Sequence, residues 1–239
     1  MFAARYSVSQ QRWSRAVMEL VDKPDAVDAL LLPVCASIQS SARFLEEVDT
    51  ARQRVATELA FQTPLKVYET TSWLKEQFAV DRTEADWVNV WLDVVAWNAG
   101  YSPKVNGAGM GLLDTLRQTG KSMVAVFEGL EALYTSVSDA GVERAMRALL
   151  ISLPQRLRSE TRRPLGALIF ARRDTVEGAV RQNLDQYRRG YASFALSWSE
   201  ADVLEFAAWV AAQSQARLDP DSNFGALIDA QRRGKLARL

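Results

Sequence analysis

Apolar residues recur every three or four positions over most of this chain, and the exceptions are a few short runs that are apolar throughout. The first pattern belongs to helices that bury one stripe, the second to buried strands. Trp13, Val17 and Leu20 predict a helix over roughly 7–22, ended by Lys23-Pro24 because proline disfavours helix in the residue before it. Ala29-Leu-Leu-Leu-Pro-Val34 reads as a strand, and Pro33, which has no N–H for a ladder, puts it near a sheet edge. A long helix from Ser41 to Phe61 turns Phe44, Leu45, Val48, Val55 and Leu59 inward with its charges opposite; a weaker pattern continues from Leu65 to Phe78. Thr83-Glu-Ala-Asp86 has the form of a capping box. It opens a helix with Trp87, Trp91 and Val94 or Val95 on one face, stopped by Ala99-Gly100.

The second half alternates more regularly. Asn106-Gly-Ala-Gly-Met-Gly111 reads as a loop before a helix over Leu112 to Gln118. Ser122 to Phe127 is a buried strand that runs into acid, followed by a helix-like segment through Tyr134 and a long helix from Gly141 to Arg158. Leu165 to Phe170 is a second such strand, followed by a helix from Val176 to Arg188; Tyr191 to Trp198 alternates and reads as a third. Ser199-Glu-Ala-Asp202 caps a helix burying Val203, Phe206, Ala207 and Val210, and a short helix over Phe224 to Ala230 leads to the basic tail Arg232 to Arg238. Strands that alternate with helices imply right-handed crossovers and a parallel sheet, so the expected class is α/β.

Composition narrows the chemistry. At about 150 residues per domain, 239 residues make one large domain, or one with an appendage. The chain has no histidine, which excludes Ser-His-Asp and Cys-His catalysis and every zinc site that needs imidazole. The single Cys35 lies in an apolar run and reads as a small buried hydrophobe. Basic and acidic residues balance at 29 each, so there is no global field for nucleic acid or anionic lipid, and any such contact must be local. No run of 18 apolar residues and no secretory leader is visible, so a soluble cytoplasmic protein is expected.

Three stretches are candidates for chemistry. Met123-Val-Ala-Val-Phe-Glu128-Gly-Leu-Glu131 puts carboxylates at the carboxyl end of a buried strand, where open α/β sheets bind ligands; acids at a helix start are the alternative, favoured there by the macrodipole. Arg172-Arg173-Asp174 follows the next strand and by itself is open to reading as a surface turn with a local ion pair. The glycine cluster at 106–111 has no lysine after it and no strand before it, as a phosphate loop requires, and is read as an ordinary loop. Trp87 and Trp91 read as core or packing surface rather than a ligand-stacking stripe.

Taken in order, these segments resemble the core of STAND-type and AAA+ P-loop ATPases. Met123 to Leu133 is similar to their Walker B segment and Leu165 to Asp174 to their sensor strand. The resemblance covers about 112–213, and more loosely 29–34. It implies a helix-rich, three-layer parallel sheet with helices on both faces, ATP and Mg²⁺ as cofactors, and Glu128 as metal-binding and catalytic acid. It further implies Glu131 as water-activating base and Arg172 or Arg173 as phosphate sensor. Two features depart from the family: Glu128 stands where aspartate is usual, and no segment spells G-x-x-x-x-G-K-[ST]. The family's first strand and its phosphate loop are missing, so the expectation is an ATPase core truncated before that loop and unable to hold ATP by itself. The core is expected over 1–215, with 216–239 beginning a C-terminal helical extension. The alternative is a non-catalytic interaction or regulatory domain that docks through the helix of Trp87 and Trp91. A protein partner or a second copy suits either reading, nucleic acid is not indicated, and no membrane association is expected.

Overall fold

The computed structural model describes residues 29–37, 39–181 and 184–192. Its sheet is built from the three short apolar runs β1 (Leu30–Cys35), β2 (Met123–Phe127) and β3 (Leu165–Ile169), parallel and in the order β1-β2-β3. β2 and β3 are neighbours in unbroken register from Met123↔Leu165 to Phe127↔Ile169. Among the described residues β1 is an edge, as Pro33 predicts, and its register with β2 shifts between Pro33 and Cys35. β2 is buried along nearly its whole length, as a central parallel strand must be, whereas β3 leaves Leu168 43% exposed. The fold is therefore α/β with a parallel sheet and abundant helix.

Helix α1 (Ala42–Glu58) starts where Ser41 Oγ accepts the N–H of Phe44 and ends three residues earlier than its apolar period predicts. The expectation that all its charges face outward fails at Arg52, which is fully buried. Its Nε donates to Pro33 O at 2.9 Å, one Nη to Val34 O at 2.7 Å and the other to Leu65 O at 2.7 Å. One guanidinium thus joins β1, α1 and the start of α2 (Val67–Phe78), and satisfies carbonyls at the point where the β1 register shifts. Burial lowers its pKa from 12.5 to about 10, so it remains charged at neutral pH.

Helix α3 (Glu84–Asn98) carries the predicted capping box: Asp86 N–H donates to Thr83 Oγ1 at 3.2 Å, and Thr83 N–H to Asp86 Oδ2 at 3.1 Å. Trp87 and Trp91 are both 0% exposed, so they belong to the core and offer no docking surface. Trp91 meets Phe127 of β2 edge to face, with ring centres 5.9 Å apart.

The predicted helix over Gly141 to Arg158 is present but is not uniform. α5 (Ala140–Arg147) and α6 (Leu153–Ser159) flank a π-helical turn at Ala148–Ser152. Pro154 follows that turn; it has no N–H to donate, and its ring would crowd the carbonyl four residues back. The widened turn makes room, with Leu153 N–H bonded to Ala148 O, and the Trp91 indole donates to Ala145 O at 2.9 Å. The segment leading to Tyr134 holds only a single 3₁₀ turn, Leu130–Ala132. The helix predicted over Val176 to Arg188 is replaced by α7 (Arg173–Ala179), which ends where Val180 leaves helical geometry, and a separate α8 (Leu184–Gly190).

The chain divides after Leu184 into two compact units. In the second, Tyr187 and Tyr191 stack with ring centres 4.6 Å apart. Tyr191 and Ala192 turn rather than extend, so the strand predicted from Tyr191 does not begin there. Its remainder, the helices predicted over 7–22, 199–210 and 224–230, and the basic tail lie outside the described residues.

Candidate functional site

The parallel sheet points the carboxyl ends of β2 and β3 the same way, and both predicted pairs of site residues follow those ends. Glu128 comes directly after β2, exposed, and forms no hydrogen bond or ion pair among the described residues. Gly129 turns the chain at φ +70°; a side chain there would meet the Ser37 nitrogen at 2.3 Å, so glycine lets this turn lie against the loop after β1. Glu131 is exposed in the following 3₁₀ turn.

At the end of β3, Arg172 occupies the residue before α7 and folds onto Asp174, with Nε–Oδ1 at 3.1 Å and Nη2–Oδ2 at 2.6 Å. This is the local ion pair that the Arg-Arg-Asp spacing allowed. It raises the pKa of Arg172 and holds the Asp174 carboxyl below its ordinary range. Both side chains are more than 60% exposed, and such a pair contributes no more than about 1 kcal/mol. Arg173 is 86% exposed and reaches Glu177 at 3.6 Å.

Glu131 lies close enough to Arg172 for its negative charge to favour the protonated form. Tyr134 Oη and Thr175 Oγ1 share a hydrogen bond of 2.7 Å. Partial burial, chiefly, raises the Tyr134 pKa, and the charges of Asp174 and Glu131 act in the same direction. Hydrogen bonds therefore link Arg172, Asp174, Thr175 and Tyr134, Glu131 acts on Arg172 and Tyr134 through its charge, and Arg173 pairs with Glu177. Neither Tyr134 nor Thr175 belongs to an apolar run or a charge cluster, so the sequence carries no signal of their contact, which joins the segments that follow the paired strands β2 and β3.

The glycine cluster is neither a phosphate loop nor a loop before a helix. It forms the first turn of α4 (Ala108–Thr119), capped by Gly107 in the left-handed conformation. The amides of Gly107 and Gly109 donate to the Asp93 carboxylate at 2.9 and 2.8 Å, so an internal anion fills the place a phosphate would take. A Cβ on Gly109 would lie 2.5 Å from Leu92 Cβ, so the glycine is required by the close crossing of α4 on α3. Asp93 is 7% exposed in an otherwise apolar stretch of α3, and a lone acid among apolar residues was the available signal of a buried partner.

The tripeptide Gly120-Lys121-Ser122 does occur, but it ends α4 and enters β2 from its amino end, with Lys121 paired to Glu58 at 3.3 Å. That is the opposite end of the sheet from Glu128. A cleft of about 490 Å³ lies among α2, α3 and the start of α4, lined by Trp73, Arg82, Asn89, Val90, Asn106 and Met110 among others; none of the predicted site residues lines it.

The implied cofactors are met unequally. Mg²⁺ in phosphate sites rests on one or two carboxylates, with water and substrate oxygens completing its shell, and a single free Glu128 meets that minimum. No cluster of three or more metal-ligating side chains occurs among the described residues. The phosphate requirement is not met, because the glycine amides of α4 are taken by Asp93 and the fork of Arg172 by Asp174. Comparison with protein-family models, with curated proteins and with solved structures finds no match for this chain. Among the described residues no helix is long and apolar enough to cross a membrane.

Proposed function

We propose that the chain is an ATPase-like α/β core that keeps the acid after its central strand and an arginine after the neighbouring strand, but has no amide cradle and holds that arginine on Asp174. The supporting observation is the parallel β1-β2-β3 order, with Glu128 directly after the central strand and Arg172 after its neighbour. Open α/β sheets bind ligands at the carboxyl ends of their strands. In this reading Glu128 is the metal-binding acid, Glu131 the base that orients and deprotonates water, and Arg172 the phosphate sensor, with Arg173 as its neighbour. Bound Mg²⁺ would supply charge neutralisation between the acids and the phosphates. Without a cradle the chain alone binds Mg-ATP at millimolar strength or weaker, because one or two exposed guanidinium contacts contribute only about 1 to 3 kcal/mol.

Calorimetric titration of the whole chain with Mg-ATP tests the proposal. Weak binding that disappears in Arg172→Ala and Glu128→Gln, but persists in Arg173→Ala, supports it. Micromolar binding would refute the account of the cradle. A second reading, a non-catalytic interaction or regulatory domain, is favoured by the occupancy of the glycine amides by Asp93. Complete indifference to Mg-ATP, with no effect of either substitution, would decide for it.

A further inference from the structure

The amino end of the sheet carries a different concentration of charge. Residues 153–164 hold Arg156, Arg158, Arg162 and Arg163 against one acid, Glu160. The Glu160 side chain is 8% exposed and is engaged by Arg156 at 3.0 Å and Arg117 at 3.7 Å, while Asp114 holds the same Arg117. Arg158, Arg162 and Arg163 are exposed and form no ion pair or side-chain hydrogen bond among the described residues.

Their turn is anchored. Arg163 N–H donates to Glu160 O at 3.2 Å, and the next residue, Pro164, is buried and accepts Met123 N–H at 2.9 Å. Arg162 and Arg163 have φ values of 64° and 45°, a left-handed conformation that glycine or asparagine adopts with less strain. The fold thus holds two unneutralised guanidinium groups on a fixed turn, in a backbone shape that favours other residues.

We infer that this arginine turn docks the phosphate backbone of nucleic acid without regard to sequence. The guanidinium fork matches phosphate oxygens, and no carboxylate of the described residues competes for these three. The large apolar side chains exposed among the described residues, Tyr68, Val80, Val105, Met110 and Leu168, all lie outside residues 153–164. Residues 153–164 themselves contribute no large exposed apolar side chain, and the exposed Met110 meets the segment at Arg156, its Sδ 3.9 Å from Nη2, so contact at Arg158, Arg162 and Arg163 is through charge. Such a local site is compatible with a chain of zero net charge.

Fluorescence anisotropy of the full chain with a labelled mixed-sequence DNA duplex tests the site. Binding is expected with a dissociation constant on the order of 10 to 100 μM at low salt, and with a slope of log affinity against log salt of about −2.7 for three phosphate contacts. Arg158→Ser, Arg162→Asn and Arg163→Gly combined should weaken binding at least about tenfold and flatten the slope. The combined variant should melt no lower than the parent, because two of its changes relieve left-handed strain, so lost binding is not lost folding. Arg43→Ser with Lys104→Ser removes charge elsewhere and should leave binding unchanged. Failure of the parent to bind, undiminished binding by the triple variant, or equal loss in the control pair would overturn the inference. So would binding of phosphatidylserine vesicles in preference to duplex.

Discussion

Replacing Arg52 with methionine keeps most of the side-chain volume and removes three hydrogen bonds to the carbonyls of Pro33, Val34 and Leu65, besides a longer one to Thr70 Oγ1. Bonds from a charged donor contribute about 1.5 to 3 kcal/mol each, a gross loss of about 4 to 9 kcal/mol. Part of this is offset, because methionine need not be stripped of water. The drop of the Arg52 pKa to about 10 puts that relief at about 3 kcal/mol. The net loss is about 1 to 6 kcal/mol, at its upper end a large share of the 5 to 15 kcal/mol typical of folded domains. Urea unfolding at neutral pH, followed by tryptophan fluorescence, measures it as a lower midpoint with an unchanged slope. Arg52→Lys should recover little, since an ammonium cannot span three diverging carbonyls. Arg52 imposes no pH dependence below about pH 10, because both folded and unfolded states keep the proton there. A methionine variant as stable as the parent would show that desolvation cancels the bonds and that β1 is held by packing alone.

Gly109→Ala should lower the melting temperature despite the better helix propensity of alanine. Its Cβ would lie 2.5 Å from Leu92 Cβ and 2.6 Å from the Leu92 carbonyl carbon, and overpacking of this kind costs about 1 to 3 kcal/mol; an unchanged melting curve would refute the close crossing. Cys35 is buried and its thiol pKa is pushed up to about 12, so an aromatic disulfide reagent at mildly alkaline pH should label it only after unfolding, and rapid labelling of native protein would contradict its placement. Hydrogen bonds from Thr83, chiefly, hold the Asp86 carboxyl below its ordinary 3.8, so the α3 cap is intact at neutral pH and its stabilisation is lost as pH falls through that lowered value. Asp86→Asn should therefore have a shallower acid limb in a stability-versus-pH series than the parent, and identical limbs would count against the cap.

The local features of the chain are legible in its sequence alone. The apolar runs at 29–34, 122–127 and 165–170 read as buried strands because helical patterns separate them, and the structure has parallel strands at Leu30–Cys35, Met123–Phe127 and Leu165–Ile169. The Thr83–Asp86 cap and the place of Pro33 on a strand that is an edge among the described residues were equally readable, because capping and the missing proline N–H act within a few residues. The positions of Glu128 and Arg172 after their strands were readable for the same reason.

Tertiary contact decided the rest. Arg52 is spaced like an outward charge, and only the approach of Pro33, Val34 and Leu65, which are 13 to 19 residues away, turns it into a core residue. Periodicity ranks Trp87 and Trp91 as apolar but cannot say whether another helix covers them; here both are buried completely. The glycines at 107–111 invite a phosphate reading until Asp93, 14 and 16 residues earlier, is seen to fill their amides. Periodicity and caps are properties of neighbouring residues and so can be read along the chain. Which donor a buried carbonyl meets, and which carboxylate reaches a helix start first, depends on segments far apart in sequence, and only the folded packing determines it.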